Sequence, residues 1–268
     1  MRKSPPTHAS TLASLCVLVT RPEEQARALI ADIEQRGGLA VFAPMILIQR
    51  QTDSPTLRAA RQRLPHYAAV IFVSRNAADF GIEMLNAPPH SLAHCEVYAV
   101  GGGSAERLLA LGVARVHTPR GEFNSEGLLK MPGLSAREIG GKNVLVVRGG
   151  GGRELLAQTL RGRGAVVDYC EVYTRSAPHE PLASVLKAHA VTTLDVGLIT
   201  STEALTNLAD QIEQEKLDRL YDLPLLVAGT RTAEEVERLG FTVPPVVVHA
   251  PGDANLVAAL ERWALDGQ

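Results

Sequence analysis

The chain has 268 residues, of which 46% are hydrophobic and 21% charged, and its formal net charge at pH 7 is −2. This composition is typical of a folded chain with room for two domains, and the near-neutral charge argues against a nucleic-acid-binding protein. No apolar run approaches the roughly 20 residues that a membrane-spanning helix needs. Three cysteines without a CxxC spacing cannot all pair, which favours a reducing cytoplasm.

In chain order, residues 1–13 are predicted to be a loose extension. Short β-branched runs then alternate with amphipathic helical stretches. Each half of the chain contains three strands that are followed by a helix: Val17–Thr20, Val70–Ser74 and Glu96–Val100 in the first half, and Asn143–Val147, Leu198–Ser201 and Leu226–Ala228 in the second. Apolar strands that alternate with helices predict an α/β fold, with parallel sheets covered by helices on both faces.

The two halves of the chain repeat one another. Cys16–Arg21 recurs as Asn143–Arg148, and Ile71–Ala77 recurs as Leu198–Ala204, both with an offset of 127 residues. Two further blocks recur with offsets of 128 and 132 residues, Tyr98–Glu106 as Leu226–Glu234 and Val116–Pro119 as Val248–Pro251. A duplicated unit of this length predicts two similar lobes with a ligand site between them.

Two extended segments, Leu39–Arg50 and Ala165–Arg175, interrupt the alternation of strands and helices. If they pair, they form a two-stranded linker, and the first strand and helix of each half are exchanged between the lobes. The predicted lobe 1 is then discontinuous, with residues 1–38 and 178–268. Lobe 2 spans residues 51–164, and the linker strands are 39–50 and 165–177.

Candidate binding residues stand where the predicted strands end, because ligands of open parallel sheets lie beyond the carboxyl ends of the strands. Glycines and hydroxyl residues at helix starts expose backbone N–H groups that attract anions. The candidates are Arg21, Ser74, Gly101, Ser104, Arg148, Gly149, Ser201, Gly229 and Thr232. Two alternatives remain open at this stage, since a Ser or Thr can simply cap its helix and either Arg can form a structural salt bridge.

Known cofactor motifs are incomplete in this sequence. The dinucleotide fingerprint fails because glutamates, Glu106 and Glu154, stand where its third glycine would be. The eight histidines show no metal-ligand spacing, so neither cofactor nor metal is predicted. One further residue, Tyr173, lies on the predicted linker, where it is either a packed aromatic or a functional phenol.

Taken together, several short motifs resemble the uroporphyrinogen-III synthase family, in the family's order from about residue 17 to residue 260. They are Val19–Pro22, Phe72–Ala77, Val100–Gly101, Ser125–Leu129, Val147–Leu155, Val172–Tyr173, Ile199–Ser201 and Ala228–Ala233. Two positions depart from the family pattern. Ser104 stands where the family usually has Thr, and Gly102 stands where it often has another residue.

The resemblance implies two α/β lobes joined by a two-stranded linker, with the segment exchange described above. It also implies a substrate, hydroxymethylbilane, a linear tetrapyrrole with eight carboxylates that is cyclised with loss of water and inversion of ring D. In this family a tyrosine, here Tyr173, is proposed to help the hydroxyl group leave. Backbone amides and hydroxyl side chains would hold the carboxylates, and no cofactor is needed.

The sequence therefore predicts a cytoplasmic, monomeric and cofactor-independent synthase of haem or other tetrapyrrole synthesis. Its substrate could arrive by transient hand-over from the upstream bilane-forming enzyme. Two alternatives remain. One is a bilobed α/β binding protein that closes on an anionic small ligand without catalysis. The other is a nucleotide-dependent transferase, which the failed phosphate motifs disfavour.

Overall fold

A computed structural model describes residues 11–51, 53–152, 154–249 and 252–266. Its strands, in chain order, are β1 Cys16–Val19, β2 Leu39–Phe42, β3 Leu47–Arg50, β4 Ala69–Phe72, β5 Glu96–Ala99, β6 Asn143–Gly149, β7 Val166–Ser176, β8 Val196–Ile199, β9 Leu225–Ala228 and β10 Val246–Val248. The helices are α1 Glu23–Gln35, α2 Pro55–Arg63, α3 Arg75–Met84, α4 Gly102–Ala110, α5 Ser125–Leu129, α6 Ala136–Ile139, α7 Leu155–Gly162, α8 Leu182–Ala188, α9 Thr202–Glu215, α10 Thr230–Arg238 and α11 Asp253–Asp266.

The chain divides into two compact units. Among the described residues, unit 1 contains those up to Leu47 and those from Ser176 onward, and unit 2 contains those within Ile48–Arg175. Each unit is built on one five-stranded sheet, with the strand order β10-β9-β8-β1-β2 in unit 1 and β3-β7-β6-β4-β5 in unit 2. The predicted α/β class with parallel sheets is confirmed, since β1 pairs in parallel with β2 and β8, and β6 with β4 and β7.

The sheet of unit 2 is buried on both faces because alternate residues of each strand point to opposite sides. Val70 and Phe72 pack with α2, α3 and α4 on one face, whereas Ala69 and Ile71 pack with α5, α6 and α7 on the other. In unit 1, Val17 and Val19 pack with α1 and α11. Such double burial explains why the strands read as continuous apolar runs.

The segments predicted to be linker strands need a correction. Leu39–Phe42 is not a linker strand but β2, which pairs in parallel with β1 inside unit 1. Likewise, β7 begins as a regular parallel neighbour of β6 inside unit 2. Only the short strand Leu47–Arg50 lies beside β7. The physical reason is that these apolar runs bury both of their faces when they complete a sheet.

The predicted N-terminal extension is also corrected in part. Leu12 is fully buried in the core of unit 1, and its N–H donates to the carbonyl of Arg36 at 3.0 Å. Residues 11–13 therefore belong to the folded unit, while residues 1–10 lie outside the described residues. Among the helices of the described ranges, none has the length and hydropathy that a bilayer span requires.

Candidate functional site

A pair of hydroxyl groups lies at the carboxyl ends of the strands of unit 2. Ser74 follows β4 and caps α3, and the N–H of Ala77 donates to its Oγ at 3.0 Å. The phenol oxygen of Tyr173 lies 3.0 Å from the same Oγ. The structure therefore brings together two residues that are 99 positions apart in the sequence, and it does so where a parallel-sheet protein binds its ligand.

Tyr173 is held from two sides. Its side chain is only 5% exposed, and its ring centroid lies 6.0 Å from that of Phe80. The opposite strand contributes Gly149, whose position is so close that an added Cβ would lie 2.5 Å from the tyrosine ring. The phenol is consequently fixed in one place, with its oxygen at the strand ends.

Arg148 is placed in a network of ion pairs. Its guanidinium group lies 2.9 Å from a carboxylate oxygen of Glu154, 3.2 Å from one of Glu171 and 4.1 Å from the ring centroid of Tyr169. Hydrogen bonds from the Tyr169 hydroxyl, at 2.6 Å, and from Arg148 lower the pKa of the Glu154 carboxyl. Since Arg148 is buried and already paired twice, the geometry favours a structural role over substrate binding.

The glycine run before α4 opens onto free space. A Cβ added at Gly101, Gly102 or Gly103 would meet no other atom within 4 Å. The first N–H groups of α4 are therefore approachable by a ligand oxygen, as expected for an anion-binding helix start. Ser104, by contrast, is 7% exposed and lies inside the turn, since its N–H donates to the carbonyl of Gly101.

Unit 1 repeats this arrangement at its own strand ends. Ser201 caps α9 by accepting the N–H of Ala204 at 3.2 Å. Gly229 caps α10 with a φ of +85°, a conformation that favours glycine, and the space around it is open. Thr232 is buried, and its hydroxyl lies 3.5 Å from that of Thr202, beside Ser201.

Arg21 stands in unit 1 at the repeat position of Arg148, and it too has an acidic partner. Its guanidinium group forms an ion pair with Asp253 at the start of α11. The Nε atom is buried and has no hydrogen-bond partner among the described residues. Most of the charge of Arg21 is thus neutralised within the unit, and a structural role is favoured here as well.

Two arginines at the strand ends were not among the binding residues predicted from the sequence. Arg75 and Arg231 occupy the first turns of α3 and α10 and are exposed. Within the described residues, no ion pair or hydrogen bond joins either of them to another group. A cation at a helix N-terminus is disfavoured by the helix dipole, so the stability of its own helix does not explain either arginine. The sequence pattern that could have identified them is an Arg in the first helical turn, either directly after the capping residue, as in Arg75, or one position later, as in Arg231.

A pocket of about 420 Å³ in unit 2 lies elsewhere, at the amino ends of β4, β5 and β6. Its lining includes Glu96 and His117, whose side chains are 2.6 Å apart, and the same carboxylate also binds Arg115 at 2.7 Å. These three side chains pair with one another, which favours a structural role for them. In the ranges that the structure describes, no cluster of three or more His, Cys, Asp or Glu could hold a metal ion.

The fold and the strand ends define a class, an α/β protein of two units that offers N–H groups, hydroxyls and two exposed arginines to an anionic ligand. In unit 2, the phenol of Tyr173 lies beside the capping serine, Ser74. A family model described as uroporphyrinogen-III synthase HemD matches residues 27–252. The chain belongs to the uroporphyrinogen-III synthase family, and this membership supports an enzyme over a binding protein without catalysis.

Similar proteins agree with this assignment. The uroporphyrinogen-III synthase of Salmonella typhimurium is 32% identical over 249 residues, which cover 91% of this chain and 99% of the relative. That of Escherichia coli is 30% identical over 246 residues, with the same coverage of both chains. Solved structures of a mutant uroporphyrinogen III synthase from Thermus thermophilus and of the enzyme from Helicobacter pylori share the fold at TM-scores of 0.61 and 0.60. Each is 17% identical and covers 95% of this chain and 100% of its own.

Proposed function

We propose that this protein cyclises hydroxymethylbilane to uroporphyrinogen III, and that unit 2 supplies the proton donor. The observation that carries the proposal is the contact of 3.0 Å between the hydroxyls of Ser74 and Tyr173 at the strand ends. Because Ser74 Oγ already accepts the N–H of Ala77, its own proton can be donated to the phenol oxygen. The phenol proton is then free to point towards the substrate.

The first chemical step is loss of the terminal hydroxyl of the substrate. Tyr173 donates its proton to this hydroxyl, the carbon–oxygen bond breaks, and water leaves while the pyrrole nitrogen stabilises the resulting azafulvene cation. General acid assistance of this kind is typically worth about 10²–10⁴-fold. The leaving group departs readily without help, so the contribution of Tyr173 is expected near or below the low end of that range.

Ring closure follows through a spirocyclic pyrrolenine, which forms when the azafulvene carbon bonds to the ring D carbon that already carries the bridge to ring C. The old bond between that carbon and the bridge then breaks, which leaves a second azafulvene cation on ring C, and this cation bonds to the unsubstituted carbon of ring D, so that ring D is inverted. The final carbon–carbon bond forms with loss of the proton from the pyrrole carbon that becomes bonded. Return of this proton to the Tyr173 oxygen restores the phenol, so the net reaction releases one water and no other group. The protein contributes mainly by holding a flexible chain in the conformation that closes.

Substrate anchoring is proposed to be distributed over the strand ends of both units. The exposed guanidinium groups of Arg75 and Arg231 supply charge, and the open helix starts at Gly101 and Gly229 supply backbone N–H groups. The hydroxyl of Ser201 contributes a neutral hydrogen bond. Ser104 and Thr232 are largely buried, so we assign them to shaping the helix starts rather than to primary contacts.

The linker, the compartment and the oligomeric state are part of the same proposal. The unit boundaries fall within β3 and β7, so these two strands are proposed to act as the linker of a two-lobed enzyme. All three cysteines are free, which supports a reducing cytoplasm. The protein is proposed to be a monomer and to receive hydroxymethylbilane by transient hand-over from the upstream bilane-forming enzyme.

Product analysis tests the function directly. The protein is mixed with hydroxymethylbilane, and the type I and type III isomers are separated. Type III should dominate with the wild-type protein, whereas type I alone would overturn the enzymatic proposal. In the same assay Tyr173→Phe should lower kcat by about tenfold to a hundredfold and still give type III product. Full activity of this variant would remove Tyr173 from the mechanism.

A further inference from the structure

The pairing of β6 with β7 changes register at the candidate site. Arg148 lies opposite Glu171, but the next residue, Gly149, lies opposite Tyr173, so that Val172 is an extra residue in β7. Val172 and Tyr173 are consecutive and both buried, in contrast to the alternation of an ordinary strand. Such a β-bulge re-aims the side chain that follows it. Here the re-aimed side chain is the phenol.

The missing side chain of Gly149 provides the space that the phenol occupies. A Cβ at this position would lie 2.5 Å from Cε2, 2.6 Å from Cζ and 3.0 Å from the hydroxyl oxygen of Tyr173. The φ of Gly149 is not in the left-handed region, so the backbone conformation does not require glycine. What requires glycine at this position is therefore the close approach of the ring.

The internal repeat supplies an independent comparison. The offset of 127 residues that relates Arg148 to Arg21 also relates Gly149 to Pro22 and Tyr173 to Ile46. Pro22 and Ile46 are both buried in unit 1. The glycine and the tyrosine are thus present together in one copy and absent together from the other. A glycine that served only the shared fold would be expected in both copies.

We propose that Gly149 and the β-bulge opposite it together position the phenol of Tyr173. The bulge turns the side chain towards Gly149, the glycine leaves room for the ring, and the phenol oxygen is thereby held beside the hydroxyl of Ser74, where it faces the substrate. The inference rests on the proposed role of Tyr173 as proton donor. Gly149 acts through Tyr173 and is assigned no contact with the reacting atoms. This replaces its earlier assignment as a substrate-binding residue.

The test is a double-variant cycle of Gly149→Ala and Tyr173→Phe. Initial rates, KM and melting temperature are measured for each variant in the full chain. Gly149→Ala should lower kcat about as much as Tyr173→Phe, roughly tenfold or more, with KM changed less than about twofold. In the double variant the losses should not multiply, because a hydroxyl that is absent cannot be displaced. Gly162→Ala, at the end of α7 where a Cβ meets nothing within 4 Å, is the matched control.

The outcomes separate the two proposals. An impaired Tyr173→Phe variant together with a folded, fully active Gly149→Ala variant would overturn the positioning role and leave the proton donor in place. Losses in kcat that multiply in the double variant would also overturn it. If Tyr173→Phe itself is fully active, the role of the donor fails, whatever the glycine variant shows.

If Gly149→Ala does not fold, a second comparison still tests the proposal. It compares the melting temperature of Tyr173→Ala with that of the double variant Gly149→Ala/Tyr173→Ala. Without the ring, the three atoms nearest to the added methyl group are absent, so the two proteins should melt within about 2 °C of each other. A markedly lower melting temperature of the double variant would show that Gly149 is needed for another reason and would overturn the proposal.

Discussion

Unit 1 and unit 2 present the same pattern of strands and helix caps, with different chemistry at one pair of positions. Ser74 and Ser201 cap equivalent helices in the two units, and Gly101 and Gly229 do the same one strand further along. Where unit 2 has a phenol beside its serine, however, unit 1 has an isoleucine at the equivalent position. The duplication thus supplies two similar sheet edges, and among the described residues a phenol stands beside the capping serine in unit 2 but not in unit 1.

The arginines at the ends of the first repeated strands differ in the number of partners that they contact. Arg148 has two carboxylate partners and an aromatic ring, whereas Arg21 has a single carboxylate partner. The largest predicted effect therefore contrasts these two residues. Arg148→Ala should lower the free energy of unfolding by about 2–4 kcal/mol, and Arg21→Ala by about 1–2 kcal/mol. The first value is reduced from that of a fully buried pair because Glu154 and Glu171 are partly exposed and can be rehydrated.

Urea unfolding followed by circular dichroism measures both values. Arg148→Lys serves as the matched control, since it keeps the charge but loses the planar stacking on Tyr169 and should fall between the wild type and the alanine variant. Equal destabilisation by the two alanine variants would contradict the contrast between the units.

The exposed arginines should instead behave alike in the two units. Arg75→Gln and Arg231→Gln are each expected to raise KM for hydroxymethylbilane by about threefold to tenfold, because each removes one charge-assisted contact to a carboxylate. The effect should shrink at high salt, which screens exposed charges. Arg238→Gln, at the other end of α10 from Arg231, is the control. An effect confined to one unit would show that the substrate is anchored by that unit alone.

The capping serines give the sharpest contrast. Ser74→Ala and Ser201→Ala should each cost about 1 kcal/mol of stability through loss of the cap. Only Ser74→Ala should also lower kcat, by several-fold, because Ser74, unlike Ser201, lies within hydrogen-bond distance of the phenol oxygen. Ser201→Ala is expected to act on substrate binding, seen as a higher KM.

Ser54→Ala controls for capping alone, since Ser54 caps α2 by accepting the N–H of Leu57 at 3.1 Å and lies outside the candidate site. Melting temperatures and initial rates are measured on all three variants. A fall in kcat of the same size for Ser201→Ala would erase the distinction between the units.

The smallest predicted effect is on the pH dependence of stability. Hydrogen bonds from Tyr169 and Arg148 lower the pKa of Glu154 below its ordinary value of 4.5. A carboxyl with a lowered pKa in the folded state stabilises the protein above the ordinary value. That stabilisation is lost as the pH falls through the lower, folded-state value. Glu154→Gln should therefore flatten the loss of stability below about pH 4.5.

Urea unfolding at intervals from about pH 6 to about pH 3 measures this change. Glu24→Gln, which removes an exposed carboxylate of unit 1 paired with Arg27, is the control. An acid profile that is unchanged in the Glu154 variant would exclude the network of unit 2 as a source of the acid sensitivity.

Much of the fold could be predicted because its signals are local. The alternation of apolar runs with amphipathic stretches predicted parallel sheets, and Ser74 and Ser201 were identified at helix starts as the structure has them. The short motifs, in their order along the chain, predicted the family to which the chain belongs. The linker could not be predicted correctly in the same way. An extended apolar segment such as Leu39–Phe42 can complete a sheet or connect two lobes, and its own residues do not distinguish the two cases.

By itself the sequence determined the order of the elements, their buried faces and the hydroxyl and glycine residues at the strand ends, because periodicity and capping depend on neighbours along the chain. Only the tertiary structure decided that Arg148 meets Glu171, that Arg75 has no ion-pair partner among the described residues and that Gly149 faces Tyr173. Those contacts depend on strand register, and a bulge of one residue changes which side chains meet across a sheet without altering the pattern along either strand.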